Sequence, residues 1–154
     1  MEIKHAINPF EVKAEDANSD MGLFEGYGSV FGNIDFGGDI VEGGAFAKSL
    51  AEWSTKGQLP QMLGFHENNN VIGDWLVMKE DEKGLYVQGQ LWVKGDKRLE
   101  QSQLAYNIMR GTGPKGLSIG YGVKDFEIEE FQGGTVRKLK EIVLFEVSFA
   151  PYAM

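Results

Sequence analysis

Cysteine is absent from the 154 residues. That removes disulfides, thiolate metal sites and cysteine nucleophiles together. Histidine is nearly as scarce, with only His5 and His66 present. A histidine-rich metal site is excluded by count, and any mechanism that needs an imidazole base has two candidates. No apolar run approaches about 18 residues, and the N-terminus lacks a charged-then-apolar signal pattern. The expectation is therefore a cytoplasmic chain with no membrane partner. Positive charge is in the minority: Lys and Arg total 15 against 23 Asp and Glu, for a net charge of −8. Nucleic acid and anionic membranes both demand clustered positive charge, so neither is expected as a partner. Proline is scarce (4) and glycine abundant (21), a balance that suits many turns and tight strand crossings.

At this length the chain can bury about 70% of its unfolded surface around one core. Its hydrophobic (42%) and charged (25%) fractions are those of an ordinary soluble protein. No repeat, low-complexity tract or linker divides it, so residues 1–154 read as a single domain. Short first strands are expected over residues 2–6 and 10–13, broken by Asn8-Pro9. The acidic stretch 15–20 and the glycine- and aspartate-rich stretch 33–44 read as loops. Residues 23–31 read as a strand with Phe24, Gly26, Gly28 and Val30 on one side. In 45–56, Phe46, Leu50 and Trp53 recur at i, i+4 and i+7 with Gly57 as a stop, which predicts a helix. Residues 71–79 and 85–93 predict a hairpin about a polar turn. Asp96 is placed to cap a second helix running to Arg110, with Leu99, Leu104, Ala105, Ile108 and Met109 as its apolar set. Residues 117–128 and 135–149 predict a long antiparallel pair turned near Gly133-Gly134. The expected architecture is mainly β with α: an antiparallel β-barrel of about seven strands with two or more helices packed outside, because closure removes exposed edges. An open α+β sheet is the alternative.

Successive side chains of a strand point to opposite faces. In Gly116-Leu117-Ser118-Ile119-Gly120-Tyr121 this sets Leu117, Ile119, Tyr121 and Val123 on one face and Gly116, Ser118, Gly120 and Gly122 on the other. The second face presents a hydroxyl in a bare groove, open to an incoming chain, and glycine in a strand often marks such close approach. A small residue on a crowded strand has the same pattern. The strand runs on through the serine, so this is not the strand-to-helix elbow of the α/β-hydrolases. A serine hydroxyl is a poor nucleophile without a base. His66, in Leu63-Gly64-Phe65-His66-Glu67, has apolar residues before it and Asn68-Asn69-Asn70 after it, as at the lip of a cleft. A surface histidine could have the same flanks. His5 sits on a polar terminal strand expected to fray, which leaves His66 as the better candidate.

Residues 142–149 are apolar on both faces and read as a buried strand whose one charge is Glu146. A buried carboxylate requires a partner. Either a Lys or Arg pairs with it structurally, or it orients and stabilises an imidazole. Asp74 is the fallback for that role. Asp35 and Asp39 fit a turn with side-chain-to-backbone bonds, and their spacing is not that of an EF-hand. Neither a metal nor a cofactor is expected. The acidic run 125–130 reads as a solvated hairpin, and Trp53, Trp75 and Trp92 as packing residues.

Several segments follow one another in a telling order: Phe24-Glu25-Gly26-Tyr27-Gly28-Ser29-Val30-Phe31, Gly38-Asp39-Ile40-Val41 with Gly44-Ala45-Phe46, the His66 segment, the Ser118 segment and Glu146-Val147-Ser148. In this the sequence resembles, over nearly its whole length, the prohead (capsid maturation) serine proteases of tailed bacteriophages, distant relatives of the herpesvirus assemblins. The resemblance implies a β-barrel serine endopeptidase that cleaves scaffold and major capsid proteins inside the immature phage prohead, in the host bacterial cytoplasm. It implies Ser118 as nucleophile and His66 as base. Assemblins use a second histidine as third member; His5 matches that role poorly, so an acid, Glu146, is expected there. The family commonly carries Asp directly after the catalytic histidine, where this chain has Glu67. Members often have a C-terminal extension, and a chain stopping at Met154 reads as a truncated or self-processed form. Assemblins gain activity on dimerising, which implies a homodimer or higher homo-oligomer. The alternative is a non-catalytic capsid assembly or scaffold-binding module on the same fold, with the Ser118 groove as a peptide-docking edge. A polysaccharide hydrolase would need a second acid near Glu146 that the sequence does not offer.

Overall fold

The longest alternating stretches of the sequence become the longest strands. A computed structural model describes residues 2–4, 10–12, 21–35 and 37–150. Along the chain it contains β1 (Glu2–Lys4), β2 (Phe10–Val12), β3 (Leu23–Val30), β4 (Asp39–Val41), α1 (Ala47–Thr55), β5 (Gln61–Gly64), β6 (Val71–Glu80), β7 (Gly84–Leu91), α2 (Glu100–Arg110), β8 (Gly116–Phe131) and β9 (Gly134–Ala150). The strands form one sheet in the order β1-β8-β9-β5-β6-β7-β3-β2, with β4 also on β9. No described helix is long and apolar enough to cross a membrane.

Two features of the expected barrel are corrected. The sheet is mixed, because β4 and β5 both run parallel to β9. It is also a curled half-barrel rather than a closed cylinder: β1 and β2 stand at opposite ends of the strand order, with no ladder joining them among the described residues. The parallel pairing traces to one crossover. The β4–α1–β5 segment runs along a single edge of β9, with β4 on Arg137 to Leu139 and β5 on Glu146 to Phe149. A helix between two strands returns the chain in its original direction, which is the parallel connection. The α1 helix fills the gap between the two ladders. Ile142 N–H donates to Ala45 C=O (3.1 Å), Leu144 N–H to Ser49 Oγ (2.9 Å), and Trp53 Nε1–H to Leu144 C=O (2.9 Å). Leu144 can turn its backbone to the helix because the β8–β9 register slips there: Gly120 opposes Glu146 while Tyr121 opposes Leu144, leaving Phe145 as the extra residue of a bulge.

The expected hairpins and helices are present with shifted detail. Gln132 (φ 47) and Gly133 (φ 80) make the two-residue turn between β8 and β9, the positive-φ geometry that matches strand twist. In β3, the ladder slips between Tyr27 and Ser29, so Ser29 is buried and Val30 only half-buried, off the side expected for it. The α2 helix starts at Glu100 with Leu99 as N-cap, not at Asp96. A turn closed by Arg98 N–H to Gly95 C=O (3.1 Å) occupies the preceding residues. It buries Ser102, Ala105, Tyr106 and Met109, whereas Leu104 is exposed.

The core lies inside the curl. Leu117, Ile119 and Tyr121 of β8 and Leu144, Val147 and Phe149 of β9 meet Phe24, Met62, Leu85 and Val87 there. Gly89 permits the closest approach: a Cβ on it would lie 2.5 Å from Met62 Cε and 2.8 Å from the Phe24 and Trp75 rings.

Candidate active site

Alternation along β8 and β9 sorts the site from the core. Leu117, Ile119 and Tyr121 enter the core, so Ser118 faces outward, and across the ladder it opposes Ser148 while Gly120 opposes Glu146. Residues paired across a ladder share a face. Ser118, Ser148 and Glu146 thus lie together on the outer face of the sheet.

His66 reaches this face from the β5–β6 connection. β5 runs parallel to β9, and Phe65 N–H continues the pairing onto Phe149 C=O (3.0 Å). The chain then reverses in a turn closed by Glu67 N–H to Gly64 C=O (3.1 Å), with Phe65 (φ 58) and His66 (φ 60) both left-handed. Histidine is enriched in that region, but a bulky residue such as phenylalanine is an outlier there. Gly64 N–H to Asn70 C=O (2.9 Å) ties the base of the loop. The imidazole is returned over the sheet as a result.

Both ring nitrogens are engaged. His66 Nε2 lies 2.9 Å from Ser118 Oγ. His66 Nδ1 is hydrogen-bonded to Glu146 Oε1. A carboxylate offers only acceptors, so Nδ1 donates to it, and in the neutral ring Nε2 then presents its lone pair to the serine hydroxyl. Glu146 Oε2 accepts a second bond, from Ser148 O–H at 2.6 Å. Ser148 Oγ in turn accepts from His66 N–H at 3.1 Å. Ser118, Ser148 and Glu146 are each less than 5% exposed.

All three residues singled out in the sequence are therefore brought together. Asp74 is not: it sits on β6, exposed, accepting from Trp92 Nε1–H at 2.8 Å and 3.9 Å from Lys97 Nζ. His5 lies outside the described residues. Asp35 makes the expected turn, accepting from Gly37 and Asp39 N–H at 2.9 Å each. Among the described residues no group of three or more acidic or histidine side chains is placed to hold a metal. The acidic run of β8 is exposed and paired with lysines, Glu129 with Lys138 (2.5 Å) and Glu127 with Lys140 (3.3 Å).

The bare groove expected around Ser118 is corrected. Ser118 is 1% exposed, with the His66 ring at hydrogen-bond distance from it. Two of the glycines on its face, Gly120 and Gly122, stand against groups of the protein itself. Glu146 stands opposite Gly120 in the ladder. The Phe145 ring lies over Gly122, 3.3 Å from where a Cβ would be. Ser148 is the one site residue without an assigned role in the sequence reading. Its signal was available: it follows Glu146 at the i+2 spacing that puts two strand residues on one face.

A second polar cluster fixes the far part of this sheet. Asp39 accepts from Arg137 through both oxygens (2.8 and 2.7 Å) and from Tyr121 O–H (3.2 Å), and Arg137 also reaches Glu2 at 2.6 Å. Burial, reinforced by the Asp39 carboxylate, pushes the Tyr121 phenol well above its ordinary range. This cluster joins β1, β4, β8 and β9, so Asp39 is structural.

A family model described as Caudovirus prohead serine protease matches residues 8–153. The chain belongs to this family. Among individual relatives of the Caudovirus prohead serine proteases, it is 41% identical over 103 residues to the prohead protease of Enterobacteria phage HK97. That alignment covers 66% of this chain and 43% of the HK97 protein, so the match spans less than half of the relative's length. In fold, the chain is similar to the bacteriophage T4 capsid assembly protease, with a TM-score of 0.64, 12% identity and 97% of each chain covered. At that identity the likeness speaks for the fold alone, a mainly β half-barrel with two helices.

Proposed function

We propose that the protein is a serine endopeptidase in which Ser118 is the nucleophile, His66 the general base and Glu146 the acid that orients the imidazole. The observation that carries this reading is the unbroken chain of contacts from Ser118 Oγ through both ring nitrogens of His66 to Glu146. Membership of the Caudovirus prohead serine protease family supports it. In the reaction, Ser118 Oγ attacks the scissile carbonyl carbon while Nε2 takes the hydroxyl proton. The C–N bond then breaks and the departing amine takes that proton from Nε2. Water repeats the sequence on the acyl-enzyme, returning Ser118. Glu146 holds Nδ1–H throughout and offsets the positive charge of the imidazolium.

The substrates in this reading are the scaffold and major capsid proteins of the phage, cut inside the immature prohead, with the protease acting as a homodimer or higher homo-oligomer. The name of the HK97 relative, a prohead protease, is consistent with that setting. Replacing Ser118 tests the reading. Ser118→Ala should lower turnover of a cognate scaffold on the order of 10⁶-fold, with circular dichroism unchanged. Cleavage at the wild-type rate by a folded Ser118→Ala overturns it.

The 1% exposure of Ser118 favours a second reading, a non-catalytic assembly or scaffold-binding module on the same fold. A fluorophosphonate separates the two: a protease is modified at Ser118, a binding module is not.

A further inference from the structure

We propose that Ser148 is a positioning residue that holds His66 and Glu146 in register with Ser118. The inference rests on the reading of Ser118, His66 and Glu146 given above, and extends it to a fourth side chain.

A serine hydroxyl can donate once and accept twice. Ser148 uses its donor on Glu146 Oε2 at 2.6 Å and an acceptor position on His66 N–H at 3.1 Å. These two partners are 80 residues apart in sequence, one in the β5–β6 connection and the other on β9. One oxygen thus ties the backbone of the base to the carboxylate of the acid. The short O–H···O contact is of the charge-assisted kind, stronger than a neutral bond.

The geometry shows why the tie is needed. Two consecutive residues, Phe65 and His66, hold left-handed backbone angles, which non-glycine residues adopt only when their surroundings over-determine them. The His66 N–H is directed at Ser148 Oγ by that conformation, so the bond acts on the strained segment itself. Glu146, on the strand, needs its second oxygen fixed if the first is to stay in line with Nδ1. Ser148 sits two residues beyond Glu146 and directly across the ladder from Ser118, so one stretch of sheet sets the three side chains against which the His66 loop is held. Ser148 does not compete with Ser118 as nucleophile. Its proton is committed to Glu146, and Nε2 faces Ser118 instead. It is 0% exposed.

The role predicts a loss in the chemical step rather than in substrate binding. Ser148→Ala removes both bonds, and Ser148→Cys keeps the shape with a weak donor. Ser148→Thr keeps the hydroxyl on a side chain suited to a strand. We expect kcat on a cognate scaffold peptide to fall about 10–100-fold in the Ala and Cys variants, with KM within about twofold, and to recover to within about fivefold in Thr. A far-downfield proton resonance from the His66 Nδ1–H is expected in the wild type and should vanish or broaden in Ala and Cys and return in Thr. Cys serves the test if Ala does not fold. A kcat unchanged in the folded Ala or Cys variant, with the resonance intact, overturns the proposal, and so does a Thr variant as slow as Cys. A lowered Tm alone, with kcat and resonance unchanged, assigns Ser148 a purely structural role and likewise overturns it. Ser118→Ala run in parallel separates the two claims. If Ser118→Ala is inert while Ser148 variants retain full kcat, only the Ser148 role fails. If Ser118→Ala still cleaves, the underlying reading fails and takes the Ser148 role with it.

Discussion

Ser118, His66, Glu146 and Ser148 form one connected set of hydrogen bonds on the outer face of the sheet. In the proposed mechanism these bonds together restrict three freedoms: the proton on Nδ1, the ring orientation and the backbone at His66. Glu146→Gln keeps the size but turns an acceptor-only group into one that can present N–H to the imidazole. Turnover should drop by about 10⁴-fold, whereas Asp74→Asn, at an exposed site on β6, should leave kcat within about twofold. Kinetics on the two purified variants decide it, and a larger loss from Asp74→Asn moves the acid's role away from Glu146. Three of the four residues were legible in the sequence for separate reasons. Ser118 stood out by alternation, Glu146 by being the lone charge in an apolar strand, and His66 by the scarcity of histidine. Ser148 was not singled out because a serine in a buried strand carries no charge to demand a partner, and its function depends on where a distant loop places His66 N–H.

Short strands and bulges decide how those residues meet. β4 and β5 have three and four residues, too few for alternation to register. Their partner is β9, so that Asp39 pairs with a residue 98 positions away. The Phe145 bulge is held by α1 through Ser49 and Trp53, directly before Glu146 in the chain. Ser49→Ala deprives the buried Leu144 N–H of its acceptor, and should cost about 1–3 kcal/mol of stability, read as a lower urea midpoint at unchanged slope. Because the bulge sets the phase of β9 at Glu146, the same variant should also lose turnover. Gly89→Ala tests packing between elements. Its Cβ would sit 2.5 Å from Met62 Cε and 2.8 Å from two aromatic rings. Overpacking of that kind should cost about 1–3 kcal/mol, and a midpoint equal to wild type would show that the β7 backbone shifts freely. The helices were legible from their apolar spacing, and so was most of the inward face of α2, where Ala105 and Met109 are buried and Ile108 packs on the core, but two positions were not. Leu104 is exposed while Ser102 is buried, its O–H donating to Ile72 C=O at 2.7 Å, a contact that tertiary packing alone creates.

At the scale of the molecule, the curled sheet is an open structure fastened by the Asp39–Arg137–Tyr121–Glu2 cluster, which joins strands from both ends of the chain. The Tyr121 phenol is 2% exposed and its folded pKa is raised, first by burial and then by the Asp39 carboxylate. An unfolded tyrosine ionises near 10, so the folded state resists a deprotonation that the unfolded state accepts. The stability this group contributes is present below pH 10 and is lost as pH rises above it, by on the order of 1 kcal/mol per pH unit at most. Tyr27, also raised, to about 12 by its hydrogen bond to Asp81, is partly exposed and contributes less. Chemical denaturation between pH 9 and 11 should therefore show a decline that Tyr121→Phe flattens, and an equal slope in the variant assigns the decline to other groups. The amino-acid sequence by itself determined the alternation that separates core from outer face in β8 and β9, and it singled out Ser118, His66 and Glu146 as candidates, because charge, scarcity and period 2 are local properties. Tertiary structure alone decided that the sheet is mixed and open, that Ser118 is covered rather than exposed, and that Ser148 bonds to both His66 and Glu146. Those outcomes depend on a parallel crossover and on a left-handed turn whose stability comes from contacts far away in the chain.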